Sequence, residues 1–312
     1  MKEATLDSKV ERQLRLNSID WEIAIRLWKI FVLRARLYMT VALLAVLATG
    51  PGALAETSSS ALSTYQFQQE LAESLANLRN DDARLDSAIV AVYSGFSVEP
   101  VRKEALKRSL RTMLGQDALP ALVARSLGPR LTSSSSASQR LARASQILVE
   151  LRVKGLRRIP PARQAEFVRF IQGVTGSLSP LACRQMFDGT LDAVASSHAE
   201  HAYMLAMPLN RFHSLVTLYE EAMVAELNGR PAVHLLTASQ RKQMDQAYDA
   251  AIEARMRKMP PEVVAGIASG LTQAPAEVAC RFHREALAAG LDLGAPYRNW
   301  YVASFVDSLQ NP

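Results

Sequence analysis

The chain has 312 residues, of which 49% are hydrophobic, 6% aromatic and 21% charged. This apolar content suffices for one large core or two small ones, and the composition excludes a generally disordered chain. The formal net charge is +6, but residues 1–55 hold 8 of the 36 Lys and Arg and 5 of the 30 Asp and Glu. The remaining 28 basic and 25 acidic residues nearly balance, so we expect no nucleic-acid partner.

The N-terminal segment has the pattern of a secretory signal peptide. Arg34 and Arg36 precede an apolar run at 37–49, and the small residues Ala53 and Ala55 follow it. A basic region, a short apolar region and small residues before the cleavage point are typical of export signals. We therefore predict cleavage after Ala55, a periplasmic or secreted mature protein, and no stable membrane span after processing.

Residues 1–33 form a long extension ahead of this signal, and two interpretations are open. In one, translation starts further downstream, near Val32 or Leu33. In the other, the extension is the cytoplasmic tail of an uncleaved signal-anchor. The apolar run is shorter than the roughly 18 residues that a spanning helix needs, which favours a cleaved signal.

Residues 56–130 are predicted to contain a linker followed by N-terminal helices. The stretch 56–63 is rich in serine, as flexible linkers are. Beyond it, apolar residues recur at helical spacing, for example at Leu71, Leu75 and Leu78. No run alternates in the manner of a strand, so we predict an all-α fold.

Residues 131–312 contain a sequence pattern that occurs twice. Leu-Thr, Ala-Ser-Gln-Arg and Ala-Cys-Arg begin at positions 131, 137 and 182, and they return at 236, 238 and 279. Between them stand Arg-Arg-Ile-Pro-Pro and Arg-Lys-Met-Pro-Pro, which begin at 157 and 257. We predict a helical bundle of two tandemly duplicated halves around a pseudo-two-fold axis, preceded by extra N-terminal helices. The copies would span about 131–197 and 229–295, with a C-terminal helix after them.

Local signals place helix boundaries inside the duplicated region. Gly155 is predicted to end a helix, and Pro160 or Pro161 is predicted to open the next one at its first position. In the second copy, Pro260-Pro261 is predicted to start the matching helix. Thr237 followed three residues later by Gln240 is a capping box.

The C-terminal helix is rich in aromatic residues. A partner-binding patch and a core-packing face are the two alternatives for this group. Their helical spacing favours packing of the last helix onto the core. The residues are Tyr297, Trp300, Tyr301 and Phe305.

Cys183 and Cys280 are the only two cysteines, and they occupy the same place in the two copies. In an exported protein, two cysteines favour one disulfide bond. The alternative is that each is a small buried apolar side chain in its own half. We predict the disulfide.

Each copy carries a basic cluster, Arg157 and Arg158 in the first and Arg257 and Lys258 in the second. One hypothesis is a binding site for an anion or an acidic partner. The other is that these cations complement the carbonyl end of a helix, which explains their position without a ligand.

Two histidines, His198 and His201, are the nearest approach to a metal-binding pattern. They lie about one helical turn apart, but no third ligand is placed by the sequence, so we predict neither a metal nor a cofactor. No phosphate loop or nucleophile elbow is present, and no catalytic residue can be named.

The sequence therefore favours a non-enzymatic role. We expect an exported interaction protein that is either of the inhibitor or immunity type or associated with the cell envelope. Its partner would be a protein or an envelope component. The alternative is a helical hydrolase that acts on an envelope polymer.

Overall fold

The structure is a computed structural model that describes residues 64–127, 137–233 and 235–309. Both the predicted signal peptide at 1–55 and the Ser-rich linker at 56–63 lie outside the described residues. So does the tract 131–136, where the first copy of the pattern begins. Over the described ranges the protein is all-helical, as predicted, with thirteen α-helices and no strand.

The helices are numbered here in chain order. Those of the N-terminal part are α1 (Thr64–Asn80), α2 (Asp82–Val92), α3 (Pro100–Leu114), α4 (Ala118–Leu127) and α5 (Ala137–Leu156). The middle of the chain forms α6 (Pro161–Ser177), α7 (Pro180–Phe187), α8 (Ala193–Ala206) and α9 (Leu209–Asn228). The C-terminal part forms α10 (Ala238–Met256), α11 (Pro261–Ala268), α12 (Ala276–Leu291) and α13 (Tyr297–Ser308).

Side-chain caps and prolines determine several helix starts. The predicted capping box of α10 is confirmed, because the Thr237 hydroxyl accepts from the Gln240 N–H and the Gln240 side chain accepts from the Thr237 N–H. Pro161 and Pro261 are the first residues of α6 and α11, so the second proline of each predicted pair opens the helix. At that position the missing N–H of proline has no helical partner to lose.

The described residues form two compact units. We call residues 64–127, 137–160 and 200–233 the cavity unit, and residues 161–199 and 235–309 the disulfide unit. The two units do not follow the two copies of the pattern, since residues 137–160 of the first copy belong to one unit and residues 161–197 to the other.

The cavity unit is built around α5 and α9, which pack along each other. Helix α3 also packs on α9, and α1 packs on α3 and α4. The core between them is formed mainly by leucines, among which Leu75, Leu78 and Leu85 are at most 1% exposed. Helix α5 ends at Leu156, one residue after the predicted end at Gly155. The backbone of α9 approaches α5 closely at Gly155, which explains why a glycine is needed there.

The disulfide unit is built around α12, which contacts α6, α7, α10, α11 and α13. Tyr301 and Phe305 of α13 are buried, as the core-packing interpretation predicts, while Tyr297 and Trp300 keep part of their surface exposed. The rings of Tyr301 and Tyr248 stack with centroids 5.2 Å apart.

The repeated pattern begins helices at matching places. Helices α5 and α10 both begin at the alanine of Ala-Ser-Gln-Arg, at Ala137 and Ala238. The helices that follow differ in length, because α6 has 17 residues where α11 has 8. In the next pair the first copy has the shorter helix, since α7 has 8 residues where α12 has 16.

Candidate functional site

A partly enclosed cavity of about 60 Å³ lies inside the cavity unit, where α2, α3, α5 and α9 meet. Its walls are mainly aliphatic side chains and methionines. Its apolar walls, together with an arginine and two tyrosines among the lining residues, make it a candidate binding site.

Helical spacing brings the walls together. On α5, Leu148 and Arg152 are four residues apart and share one face, and on α9 the residues Val216, Tyr219 and Met223 do the same. Arg152 is the charged residue among those that line the cavity. Its guanidinium lies over the ring of Tyr219, 4.6 Å from the ring centroid, which is a cation–π contact.

Two tyrosines of the cavity wall are buried in this electrostatic environment. Burial raises the pKa of Tyr93 and of Tyr219, and the Arg152 guanidinium opposes the rise in both. The Tyr93 hydroxyl donates to the Met204 sulfur at 3.5 Å. Both phenols therefore remain protonated donors at any physiological pH.

Glu200 on α8 belongs to the same group of interacting side chains. Burial raises the pKa of Glu200 to about 7, and the positive charge of Arg152 opposes this rise. The Glu200 charge in turn raises the pKa of Tyr93 and Tyr219. Near neutral pH this carboxyl group is thus poised between its protonated and ionised forms.

His201, which follows Glu200, is buried and packs on Tyr93. Its ring centroid lies 4.5 Å from that of Tyr93. His198 is exposed. No group of three His, Cys, Asp or Glu side chains that could hold a metal ion occurs within the residues the structure describes.

Sequence reasoning did not select Tyr219 or Glu200 as site residues, and it placed Arg152 only near the basic cluster of Arg157 and Arg158. A signal was present for Arg152, which follows Leu148 by four residues and so places a cation on an otherwise apolar helix face. Glu200 gave no such signal, because its shifted pKa results from burial in the folded chain.

The predicted anion-binding residues of the first copy lie in the cavity unit. Arg158 is a half-buried side chain whose Nε lies 2.6 Å from Oε2 of Glu226. Its Nη1 also donates to the carbonyl oxygens of Gly229 and Pro231, at 3.0 and 2.9 Å. Arg157 is partly buried beside it in sequence. Arg158 thus binds the acceptors at and after the carbonyl end of α9, where a cation stabilises the helix.

The matching residues of the second copy, Arg257 and Lys258, lie in the disulfide unit and are exposed. Arg257 pairs with Glu253 one turn earlier on α10, at 2.5 Å. The structure therefore gives the two basic clusters different surroundings, one tied into a helix end and the other on the surface.

Cys183 and Cys280 form a disulfide bond that joins α7 to α12. Both residues are at most 2% exposed. His283, one turn after Cys280, stacks on Phe187 with ring centroids 4.1 Å apart. Burial, aided by the nearby positive charge of Arg184, lowers the pKa of His283 to about 3, so this imidazole is neutral.

Arginines reinforce the region around the disulfide. Arg184 donates to the carbonyl oxygens of Ala274 and Thr272, at 2.7 and 2.5 Å. Arg284 donates to the carbonyl oxygens of Thr175 and Leu178, at 2.6 to 3.0 Å. The basic side chains that flank the cysteines thus hold backbone acceptors of their own unit.

No family model, curated protein or solved structure matches this chain. Among the described helices, none combines the length and the apolar character needed to cross a membrane.

Proposed function

We propose that this is an exported protein, periplasmic or secreted, whose role is to bind rather than to catalyse. In this account it is an interaction protein of the inhibitor or immunity type, or one associated with the cell envelope. Its partner is a protein or an envelope component, and not a nucleic acid.

The observation that carries the proposal is the buried Cys183–Cys280 disulfide, which uses both cysteines of the sequence. Disulfides persist in oxidising compartments and are rare where thioredoxin and glutathione keep thiols reduced. The signal-like pattern that ends at Ala55 independently supports export.

A reporter fusion tests export. Residues 1–55 are joined to an alkaline phosphatase that folds only outside the cytoplasm, and a matched fusion lacks residues 37–49. We expect enzyme activity from the first fusion and none from the second. Equal activity from both, or none from either, would refute an export signal at this position.

A second candidate function, a helical hydrolase acting on an envelope polymer, is favoured by one observation. The pKa of Glu200, about 7, is the value that suits a general acid at neutral pH. The cavity beside it offers mainly apolar walls, which suit binding better than attack on a polar polymer. We therefore favour a binding role over hydrolysis.

Dye-labelled cell-wall sacculi separate the two candidates. The binding proposal predicts that the purified protein releases no soluble dye, and that Glu200→Gln behaves in the same way. Dye release by the natural protein that is lost in Glu200→Gln would establish the hydrolase instead. Lysozyme serves as the positive control for the substrate.

We infer further that residues 131–312 arose by tandem duplication. Support comes from the coincidence of helix starts at Ala137 and Ala238 and at Pro161 and Pro261, and from the cysteines at matching places. The differing lengths of the later helices indicate that the copies have diverged in packing. A crystal structure in which Cys183 and Cys280 did not superpose when α5–α7 are fitted onto α10–α12 would contradict this.

A further inference from the structure

The cavity has mainly buried, apolar walls and two partly exposed lining residues. Eleven of its thirteen lining residues are buried. The two that keep exposed surface are Leu110 on α3 and Arg152 on α5. An aliphatic side chain and an arginine are thus the lining residues in partial contact with solvent.

The size and walls of the interior limit what it can hold. A cavity of about 60 Å³ is smaller than the engineered cavity of about 150 Å³ that binds benzene. It fits a chain of a few carbon atoms. Met113 and Met223 contribute flexible thioethers to the walls, and such side chains adapt to the shape of an apolar guest.

Arg152, the charged and partly exposed residue of the lining, determines which polar group the ligand can carry. An alkyl chain inserted among Leu106, Met113 and Met223 would place its polar end beside Arg152. The planar guanidinium matches the geometry of a carboxylate. The Tyr219 ring supports it from one face, at 4.6 Å, which limits the orientations it can take.

We propose that this cavity binds a short-chain carboxylate, with the alkyl end inside and the carboxylate beside Arg152. The ligand is a small molecule, in addition to the macromolecular partner proposed above. The inference does not depend on export or on the partner, since it rests on the geometry of the cavity unit alone.

Glu200 supplies one carboxyl group that interacts with Arg152, and the site can still accept the carboxylate of a ligand. Its pKa of about 7 means that it can take up a proton near neutrality at little cost. A bound carboxylate can then replace the Glu200 charge next to Arg152 without bringing two negative charges together.

Three probes of one chain length test the proposal: butanoate, 1-butanol and butylammonium. The full chain carries ¹³C-labelled methionine methyl groups, and each probe is titrated while the methyl spectrum is recorded. The Met113 and Met223 signals should shift with butanoate at the lowest concentration. Met244 and Met256 of the disulfide unit should not shift and serve as the internal control.

Two variants locate the site. Arg152→Gln should weaken butanoate binding by about tenfold or more, the value of a charge-assisted hydrogen bond, and leave butanol within about twofold. Val216→Phe fills the cavity and should abolish the shifts from all three probes. If Val216→Phe fails to fold, Ser109→Val, which also narrows the cavity, replaces it.

Three outcomes of these titrations would contradict the proposal. Absence of shifts at Met113 and Met223 with every probe would overturn the site. Butanol or butylammonium binding as tightly as butanoate would overturn the choice of a carboxylate. Butanoate binding that neither Arg152→Gln nor the cavity-filling variant weakens would place the ligand elsewhere and overturn the proposal.

Discussion

Gly155 on α5 lies directly against the backbone carbonyl of Ala222 on α9, and a Cβ atom on Gly155 would lie 1.7 Å from that oxygen. No side chain can be accommodated at such a distance. The missing Cβ is therefore what allows α5 and α9, the two central helices of the cavity unit, to pack at their observed separation.

Gly155→Ala should destabilise the protein by about 3 kcal/mol or more, since backbone atoms of α5 and α9 must move apart to admit the methyl group. Urea unfolding followed by circular dichroism measures the change. Gly176→Ala on α6 is the matched control, because nothing lies within 4 Å of its Cβ position. The control should be neutral or stabilising by up to about 1 kcal/mol. Equal effects of the two substitutions would contradict the close approach.

The disulfide should contribute substantially to stability. Its cysteines are 97 residues apart in sequence, and closing a loop of that length removes about 4–5 kcal/mol of unfolded-state entropy in the chain-entropy treatment. We expect the double variant Cys183→Ala/Cys280→Ala to lose about that amount in urea unfolding. The single variant Cys280→Ala should lose nearly as much, because one substitution already breaks the bond. A single variant that loses only half as much would assign the effect to packing instead.

Glu200 should make stability depend on pH. Its pKa is raised from 4.5 to about 7 by burial, so between these values the folded chain holds a proton that the unfolded chain has lost. The contribution is fully present below pH 4.5 and disappears as the pH rises through 7. It amounts to at most about 3 kcal/mol, because Glu200 keeps some exposed surface.

The measurement is the difference in the free energy of unfolding between the natural protein and Glu200→Gln, from pH 4.5 to 8. The natural protein should lose stability relative to the variant over this range. His283 acts in the opposite sense, since its lowered pKa gives stability above pH 6.5 that is lost as the pH falls toward 3. The contribution of His283 is the same in both proteins, so it cancels in the difference between their free energies of unfolding. A flat difference would show that Glu200 is not buried as described.

Arg158 should matter more than Arg257 for stability. The side chains of Arg158 and Glu226 are 18% and 20% exposed, whereas Arg257 is 62% exposed. Arg158→Gln removes the ion pair and weakens the bonds to two backbone carbonyls, which should cost about 1–3 kcal/mol. Arg257→Gln should change stability by less than about 0.5 kcal/mol, as exposed pairs do. Similar losses of stability for the two variants in thermal unfolding would contradict the distinction between the two basic clusters.

Much of the fold could be predicted from the sequence because its determinants are local. The capping box at Thr237 and the prolines that open α6 and α11 act within a few residues of themselves. The pairing of the two cysteines followed from their number. Gly155 was predicted only as a helix end, and α5 does end one residue later, at Leu156. The contact of Gly155 with α9 could not be predicted, because a glycine required by a neighbouring helix looks the same in sequence as a glycine that ends one.

The candidate site could not be predicted, because it depends on packing between distant segments. The cavity is a volume that helices α2, α3, α5 and α9 leave unfilled, and no short pattern encodes it. The same holds for Glu200, whose pKa is shifted only by its burial in the folded chain and by the charge of Arg152. Arg158 was found as a cation at a helix end, but the end it binds is that of α9, some 70 residues along the chain.

Intact-mass spectrometry of the protein made in a bacterial host from the full sequence, combined with thiol alkylation under denaturing conditions, tests both export and the disulfide bond. We expect a mature chain that begins at Glu56, is recovered from the periplasm or medium, and takes up alkylating reagent at Cys183 and Cys280 only after reduction. A 34.3 kDa full-length chain in the cytoplasm, alkylated at both cysteines without reduction, would contradict this expectation.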